Sequence, residues 1–154
     1  MDATKLVELN AAYARAIDNE KFEEWPKLFH ETCIYKLTTA ENVAKGYEAG
    51  IIYADSRAML EDRVSALRKA NIYERHRYRH VVGLPVVLGQ VNGAADVETP
   101  FLIVRIMRDG IMDVFATGCY LDKVTTSDDG ALRFAERIVV CDGGRFDTLV
   151  AIPF

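Results

Sequence analysis

Two of the three histidines in this chain fall in one short run, Tyr73-Glu74-Arg75-His76-Arg77-Tyr78-Arg79-His80. The run is dense in hydrogen-bond donors, and its residue types suit four kinds of chemistry. The first is metal binding. His76 and His80 are four apart, and on a helix they would share one face. The apolar Val81-Val82-Gly83-Leu84-Pro85 that follows, and the helix that ends before the run, place both histidines at a strand start instead. Four strand residues span ~13 Å, whereas ligand atoms lie ~2 Å from a zinc ion. A strand therefore excludes a shared ion.

The second is nucleic-acid binding, with Arg75, Arg77 and Arg79 on phosphates and the tyrosines stacked on bases. Glu61, Asp62 and Glu74 lie close by, no second basic patch supports the first, and 23 acidic residues outnumber 19 basic ones. A net charge of −4 provides no general attraction to a polyanion. The third is proton transfer by a histidine oriented by a carboxylate; the sequence singles out no carboxylate partner. The fourth is a contact surface. Strand alternation sends Arg75, Arg77 and Arg79 to one side and His76, Tyr78 and His80 to the other. Arginine pairs bidentately with carboxylates and suits protein–protein surfaces.

Other motifs offer less. Cys33, Cys119 and Cys141 form no CxxC pair, which suggests neither a zinc ribbon nor a disulfide framework, and they suit a reducing cytoplasm. Gly143-Gly144 opens no GxGxxG helix, and no GxSxG is present. His30-Glu31-Thr32-Cys33 has no recognised metal spacing, and His30 is expected at a helix end beside the dipole. Tyr13, Phe22, Trp25, Phe29 and Tyr35 are expected in the core. The N-terminus lacks the apolar stretch of a signal peptide. No apolar run approaches the ~18 residues of a membrane span. Half of the residues are apolar and 27% are charged, a globular mixture rather than a disordered one.

The elements that must position these residues follow from periodicity. Leu6, Leu9, Tyr13, Ala16 and Ile17 share a face of a helix over Ala3–Ile17, capped by Asp2. A short helix is expected over Lys21–Phe29, tolerating Pro26 only near its start. A strand follows at Cys33–Thr39, then a less regular stretch with a short strand at Ile51-Ile52-Tyr53. A helix over Asp55–Ala70, capped by Asp55 or Ser56, places Met59, Leu60, Arg63, Val64 and Leu67 on one face. Four long segments, about 77–90, 95–109, 111–126 and 131–142, are rich in Val, Ile, Tyr, Phe and Thr. Asn92-Gly93, Asp109-Gly110 and Asp129-Gly130 separate them as hairpin signals. Helices followed by long antiparallel strands make an α+β fold, expected as one domain over residues 1–154.

Several stretches, in order along nearly the whole chain, resemble the β subunits of Rieske-type aromatic-ring-hydroxylating dioxygenases, nearest to those acting on aromatic acids. They include Asn10-Ala11-Ala12-Tyr13-Ala14 with Ile17-Asp18, Trp25-Pro26 with Phe29, and Tyr53-Ala54-Asp55-Ser56. The helix Met59 to Arg68 and the run Ala70 to His80 with Gly83-Leu84-Pro85 come next. Arg105-Ile106-Met107, Gly118 with Tyr120 to Lys123, and Glu136-Arg137-Ile138 with Cys141-Asp142 complete the match.

The resemblance implies an NTF2-like (SnoaL-like) cone, with N-terminal helices packed on a strongly curved, mostly antiparallel sheet. It implies a partner: a large α subunit carrying the Rieske [2Fe–2S] cluster, the mononuclear Fe(II) and the substrate pocket. Three of each would form an α3β3 hexamer, with a β3 trimer conceivable alone, and a reductase would bring electrons from NAD(P)H for O2-dependent ring oxidation. This chain would then be the non-catalytic part of an oxidoreductase, with no catalytic, cofactor or metal residues, no nucleic acid and no membrane. The residues agree on one point. A Rieske cluster needs two cysteines and two histidines on one centre, and a mononuclear site needs two histidines and a carboxylate; no spacing here provides either. The expected contact residues are Asp62, Arg63, Tyr73, Glu74, Arg75, His76, Arg77, Tyr78, Arg79 and His80, with the Tyr73 and Tyr78 rings as anchors. The competing expectation is a standalone SnoaL-like isomerase or dehydratase with a histidine–carboxylate pair.

Overall fold

The computed structural model describes residues 1–48, 50–69, 75–143 and 152–154. Helix α1 runs Ala3–Asp18, and its start is held by the Asp2 carboxylate accepting from the Thr4 backbone N–H at 2.8 Å. Its buried side carries Leu6, Leu9, Tyr13, Ala16 and Ile17, as the periodicity requires, and adds the polar Asn10 and Asp18.

The helix expected over Lys21–Phe29 is two separate 3-10 turns, Phe22–Glu24 and Pro26–Leu28. Pro26 is the reason. It has no N–H to donate and its ring clashes with the preceding turn, so the chain restarts there. The restart lets Phe22, Trp25 and Phe29 all turn inward, the last two fully buried. Strand β1, Phe29–Thr39, therefore begins four residues earlier than expected. His30 lies within it, not at a helix end.

Helix α2 (Ala40–Ala44) is one unanticipated turn, capped by Thr39 Oγ1 accepting from the Asn42 N–H. Strand β2 (Ile52–Ala54) pairs antiparallel with β1. Helix α3, Arg57–Lys69, is capped by Ser56 Oγ accepting from the Met59 N–H at 3.2 Å, and buries Leu60, Val64 and Leu67. Met59, expected on that face, is exposed instead.

The remaining strands are β3 (His76–Val82), β4 (Val86–Val91), β5 (Ala94–Met107), β6 (Met112–Thr126) and β7 (Leu132–Cys141). The segment expected as one strand over 77–90 is thus broken at Gly83-Leu84-Pro85. β3 and β4 nonetheless run in line along the same edge of β5, β4 against residues 94–98 and β3 against 101–107. Gly83 donates to the Pro100 carbonyl at 2.8 Å, and a Cβ there would sit 2.6 Å from Pro100 Cγ. Asn92 and Gly93 both take positive φ, 52° and 79°. This is the two-residue hairpin turn whose twist suits flanking strands.

The strand order is β2-β1-β7-β6-β5-β3, with β4 also on β5. All pairings are antiparallel except β1 with β7, which is parallel and makes the sheet mixed. Strands as long as β5 and β6, 14 and 15 residues, must coil. Register shifts at Ile103/Val104 and Lys123/Val124 give them places to bend. Helix α1 packs against β3 and β7, and α3 against β1 and β2. The core between helices and sheet is mainly aromatic: Tyr13, Trp25, Phe29, Tyr35, Tyr120, Phe134 and Phe154 are all essentially inaccessible.

Candidate functional site

Strand β3 divides the arginine–histidine run as alternation demands. Arg75, Arg77 and Arg79 are exposed, while His76, Tyr78 and His80 are buried. The Tyr78 ring is therefore no surface anchor. It stacks on Phe115 at 5.3 Å inside the protein. Tyr73 and Glu74 lie outside the described residues.

Directly paired residues on neighbouring strands share a sheet face. Arg77 opposes Ile106 and Arg79 opposes Val104; those two oppose Met112 and Val114 on β6. Met112 and Val114 are 67% and 63% exposed, and β4 is exposed along its whole length. One end of the uncovered sheet face thus combines guanidinium groups with bare apolar side chains. Arg79 lies 4.0 Å from Asp18. No ion pair involves Arg75 or Arg77 among the described residues. Asp62 and Arg63 belong elsewhere: α3 packs on β1 and β2, at the other end of the strand order from β3.

The inner face holds two buried polar pairs that no local pattern announces. Asp18, the last residue of α1, accepts the His80 backbone N–H at 2.8 Å and lies 2.6 Å from His80 Nδ1. Both side chains are essentially buried. The carboxylate at Nδ1 fixes the orientation of the imidazole, and its Nε2 is buried with no hydrogen-bond partner. Asp18 is the carboxylate that sequence reasoning could not select; it is 62 residues from its histidine.

Deeper in the core, Arg137 donates to Asp122 through Nε at 2.8 Å and Nη2 at 2.7 Å, and to Asn10 Oδ1 at 2.5 Å. Its guanidinium lies 3.9 Å from the Tyr120 and Phe134 ring centres and 4.3 Å from that of Tyr13. Burial opposes the charge, yet Asp122 holds Arg137 above the usual arginine range. The two-pronged geometry is that of an ion pair.

Metal chemistry does not fit this donor set. His30 Nε2 is engaged with Thr125 Oγ1 at 2.6 Å, and His80 is tied to Asp18. Burial pushes the Cys33 thiol up to about 11 and Cys141 to about 12, so neither offers a thiolate readily. Among the described residues, no group of three His, Cys, Asp or Glu side chains is placed to hold a metal ion. A polar pocket of about 490 Å³ opens beside His30, Arg57 and Arg133. Arg57 already donates to the Phe29 carbonyl, and Arg133 to Asp129 and the Lys27 carbonyl. Among the described residues, no helix is long and apolar enough to cross a membrane.

This α+β fold, with helices packed on a mixed sheet, is shared by solved beta subunits of ring-hydroxylating dioxygenases. The family model for the ring hydroxylating beta subunit matches residues 12–147, and this chain belongs to that family. Within it, the chain is 52% identical over 149 residues to the terephthalate 1,2-dioxygenase terminal oxygenase component subunit beta 1 of Comamonas sp., spanning 97% of this chain and 96% of that one. It is 37% identical to the anthranilate 1,2-dioxygenase small subunit of Burkholderia cepacia, over 94% of this chain and 89% of that one. A solved chain assigned as the beta subunit of an aromatic-ring-hydroxylating dioxygenase from Novosphingobium aromaticivorans superposes with a TM-score of 0.90 at 35% identity, covering 99% of this chain and 96% of that one. The family resemblance read from the sequence, and the α+β cone it implied, are thereby borne out.

Proposed function

We propose that this chain is the assembly subunit of a multicomponent dioxygenase acting on terephthalate or a related aromatic acid, folded as one NTF2-like domain over residues 1–154. In this reading it contributes no reacting group. A large α subunit holds the Rieske [2Fe–2S] cluster, the mononuclear Fe(II) and the substrate, and a reductase delivers electrons from NAD(P)H. Three α and three β chains form the hexamer, in the cytoplasm. The observation that carries this reading is the 52% identity to a terephthalate 1,2-dioxygenase beta subunit across nearly both chains. The geometry supports it. Asp18 is paired with His80 and Arg137 with Asp122 inside the protein, whereas Arg75, Arg77, Met112 and Val114 stand on an uncovered face. Arginines beside an apolar centre suit the recognition of an acidic-rimmed protein surface.

The test is co-expression with a large subunit bearing paired Cys–His motifs, read by light scattering and by O2-dependent turnover of terephthalate. The complex is expected at hexameric mass, and Arg75→Ala/Arg77→Ala/Arg79→Ala is expected to weaken it at least tenfold. Unchanged assembly of that variant would remove the arginine face from the reading. The Asp18–His80 pair favours a second reading, a standalone proton-transfer enzyme; turnover of a small substrate by this chain alone would decide for it.

A further inference from the structure

We propose that the polar pocket beside Arg57 and Arg133 binds a small molecule carrying a carboxylate at one end and an amine at the other. The pocket, of about 490 Å³, lies where residues 30–32 of β1, the first residue of α3 and the β6–β7 turn at 127–129 meet. None of its lining residues belongs to the buried core, so it is separate from the cone interior. Two arginines are fixed in its wall. Arg57 donates to the Phe29 carbonyl through Nε at 3.0 Å and Nη2 at 2.5 Å. Arg133 donates to the Lys27 carbonyl through Nε at 3.1 Å, and to Asp129 through Nη1 and Nη2 at 2.8 and 2.7 Å. Both carbonyls lie within three residues after Pro26, where the second 3-10 turn passes into β1. Side chains already held in place lose little freedom when a ligand arrives.

The two guanidinium charges are not equally satisfied. Arg133 is neutralised by Asp129, whose carboxyl it holds below the usual carboxylate range. Arg57 is half-buried and has no ion pair among the described residues. It also opens α3, where the helix dipole disfavours a cation. The Phe29 carbonyl satisfies N–H groups of Arg57 but not its charge, and a guanidinium has five N–H donors, so the Nη1 pair remains to be used. The pocket's other walls carry Glu31 and Asp128, both exposed and without a cation partner among the described residues. One unpaired cation and two unpaired anions therefore face one space from three elements. A simple anion would meet the two carboxylates, and a simple cation would meet Arg57. A zwitterion answers both: its carboxylate accepts from Arg57, and its amine donates to Asp128 and Glu31. The inference draws on nothing in the assembly reading.

The test is titration of the full chain with 6-aminohexanoate, hexanoate and hexylamine, followed by calorimetry and by the Arg57 Nε resonance. The flexible chain of 6-aminohexanoate lets its two charges reach residues on different elements. It is expected to bind at least about tenfold more tightly than either one-ended probe, the yield of one charge-assisted hydrogen bond, and to move the Arg57 Nε signal. Asp128→Asn changes an exposed side chain with no partner, so the fold should be untouched. It is expected to weaken 6-aminohexanoate about threefold, as for an exposed ion pair, without weakening hexanoate. Arg57→Gln is expected to remove the binding of both. Probes of equal affinity, no saturable binding, or a 6-aminohexanoate affinity unchanged in either folded variant overturns the proposal. Should Arg57→Gln fail to fold, Asp128→Asn and the Arg57 resonance decide by the same criteria.

Discussion

Replacing Arg137 with Ala should be among the most damaging single changes in this protein, and replacing both members of its pair should cost less than the sum of the separate changes. The arginine is fully buried, and the Asp122 side chain facing it is 1% exposed. Removing the guanidinium leaves that carboxylate in the core without its two donors. It also empties a space bounded by three aromatic rings and strips Asn10 of its donor to Oδ1. Breaking a buried ion pair by deleting one partner costs about 3–5 kcal/mol. Domain stabilities lie at about 5–15 kcal/mol, so the loss is about a fifth or more of the total. In a domain this size 1 kcal/mol moves the midpoint by about 2–4 °C, which puts the expected drop near 10 °C. The assay is urea unfolding of four proteins: unmodified, Arg137→Met, Asp122→Leu and the double variant. The double variant carries no stranded charge and fills the space with apolar atoms, so it should recover at least about 2 kcal/mol of the summed single losses. Single losses below about 1 kcal/mol, or strict additivity, would refute the view that this pair is a dry, mutually dependent unit.

Three further outcomes follow from the same geometry. Val114→Lys and Met112→Lys lie on exposed positions and should change stability by no more than about 0.5 kcal/mol, while abolishing assembly with the large subunit in size-exclusion with light scattering. Hydrogen bonds from Arg68 hold Glu23 down at about 2 against an ordinary 4.5. Because the folded value is depressed, its contribution is present above pH 4.5 and is lost as pH falls towards 2; carboxylate NMR should show Glu23 returning towards the ordinary value in Arg68→Ala. With burial raising the Cys33 and Cys141 thiols to about 11 and 12, a thiol reagent at pH 8 should spare both in the native protein and modify them quickly in urea. Fast native labelling of either would contradict that burial.

Much of the architecture was legible in local pattern. The apolar stripe of α1 with its Asp2 cap, the face of α3 built on Leu60, Val64 and Leu67, and the long strands divided at Asn92-Gly93, Asp109-Gly110 and Asp129-Gly130 all stand where periodicity and turn chemistry put them. Alternation sorted the arginines of β3 from its histidines. The misreadings have definite causes. Pro26 split an expected helix, and Gly83-Leu84-Pro85 interrupted an expected strand; both breakers were visible but outweighed by the apolar residues around them. Tyr78, taken as a surface ring, sits on the strand's inward side.

The sequence by itself determined most of the elements, the buried sides of α1 and β3, and the absence of any iron-ligand spacing, because these depend on residue types a few positions apart. It also carried the family resemblance, which is distributed along nearly the whole chain. Only the tertiary structure decided which distant residues meet: β1 parallel to β7, Asp18 with His80, Arg137 with Asp122 and Asn10, and Phe154 among the rings of the cone. Periodicity states that a side chain is inside but not what it faces there. That choice rests on strand register and on how α1 lies across the sheet, and a shift of one residue would present a different set of partners.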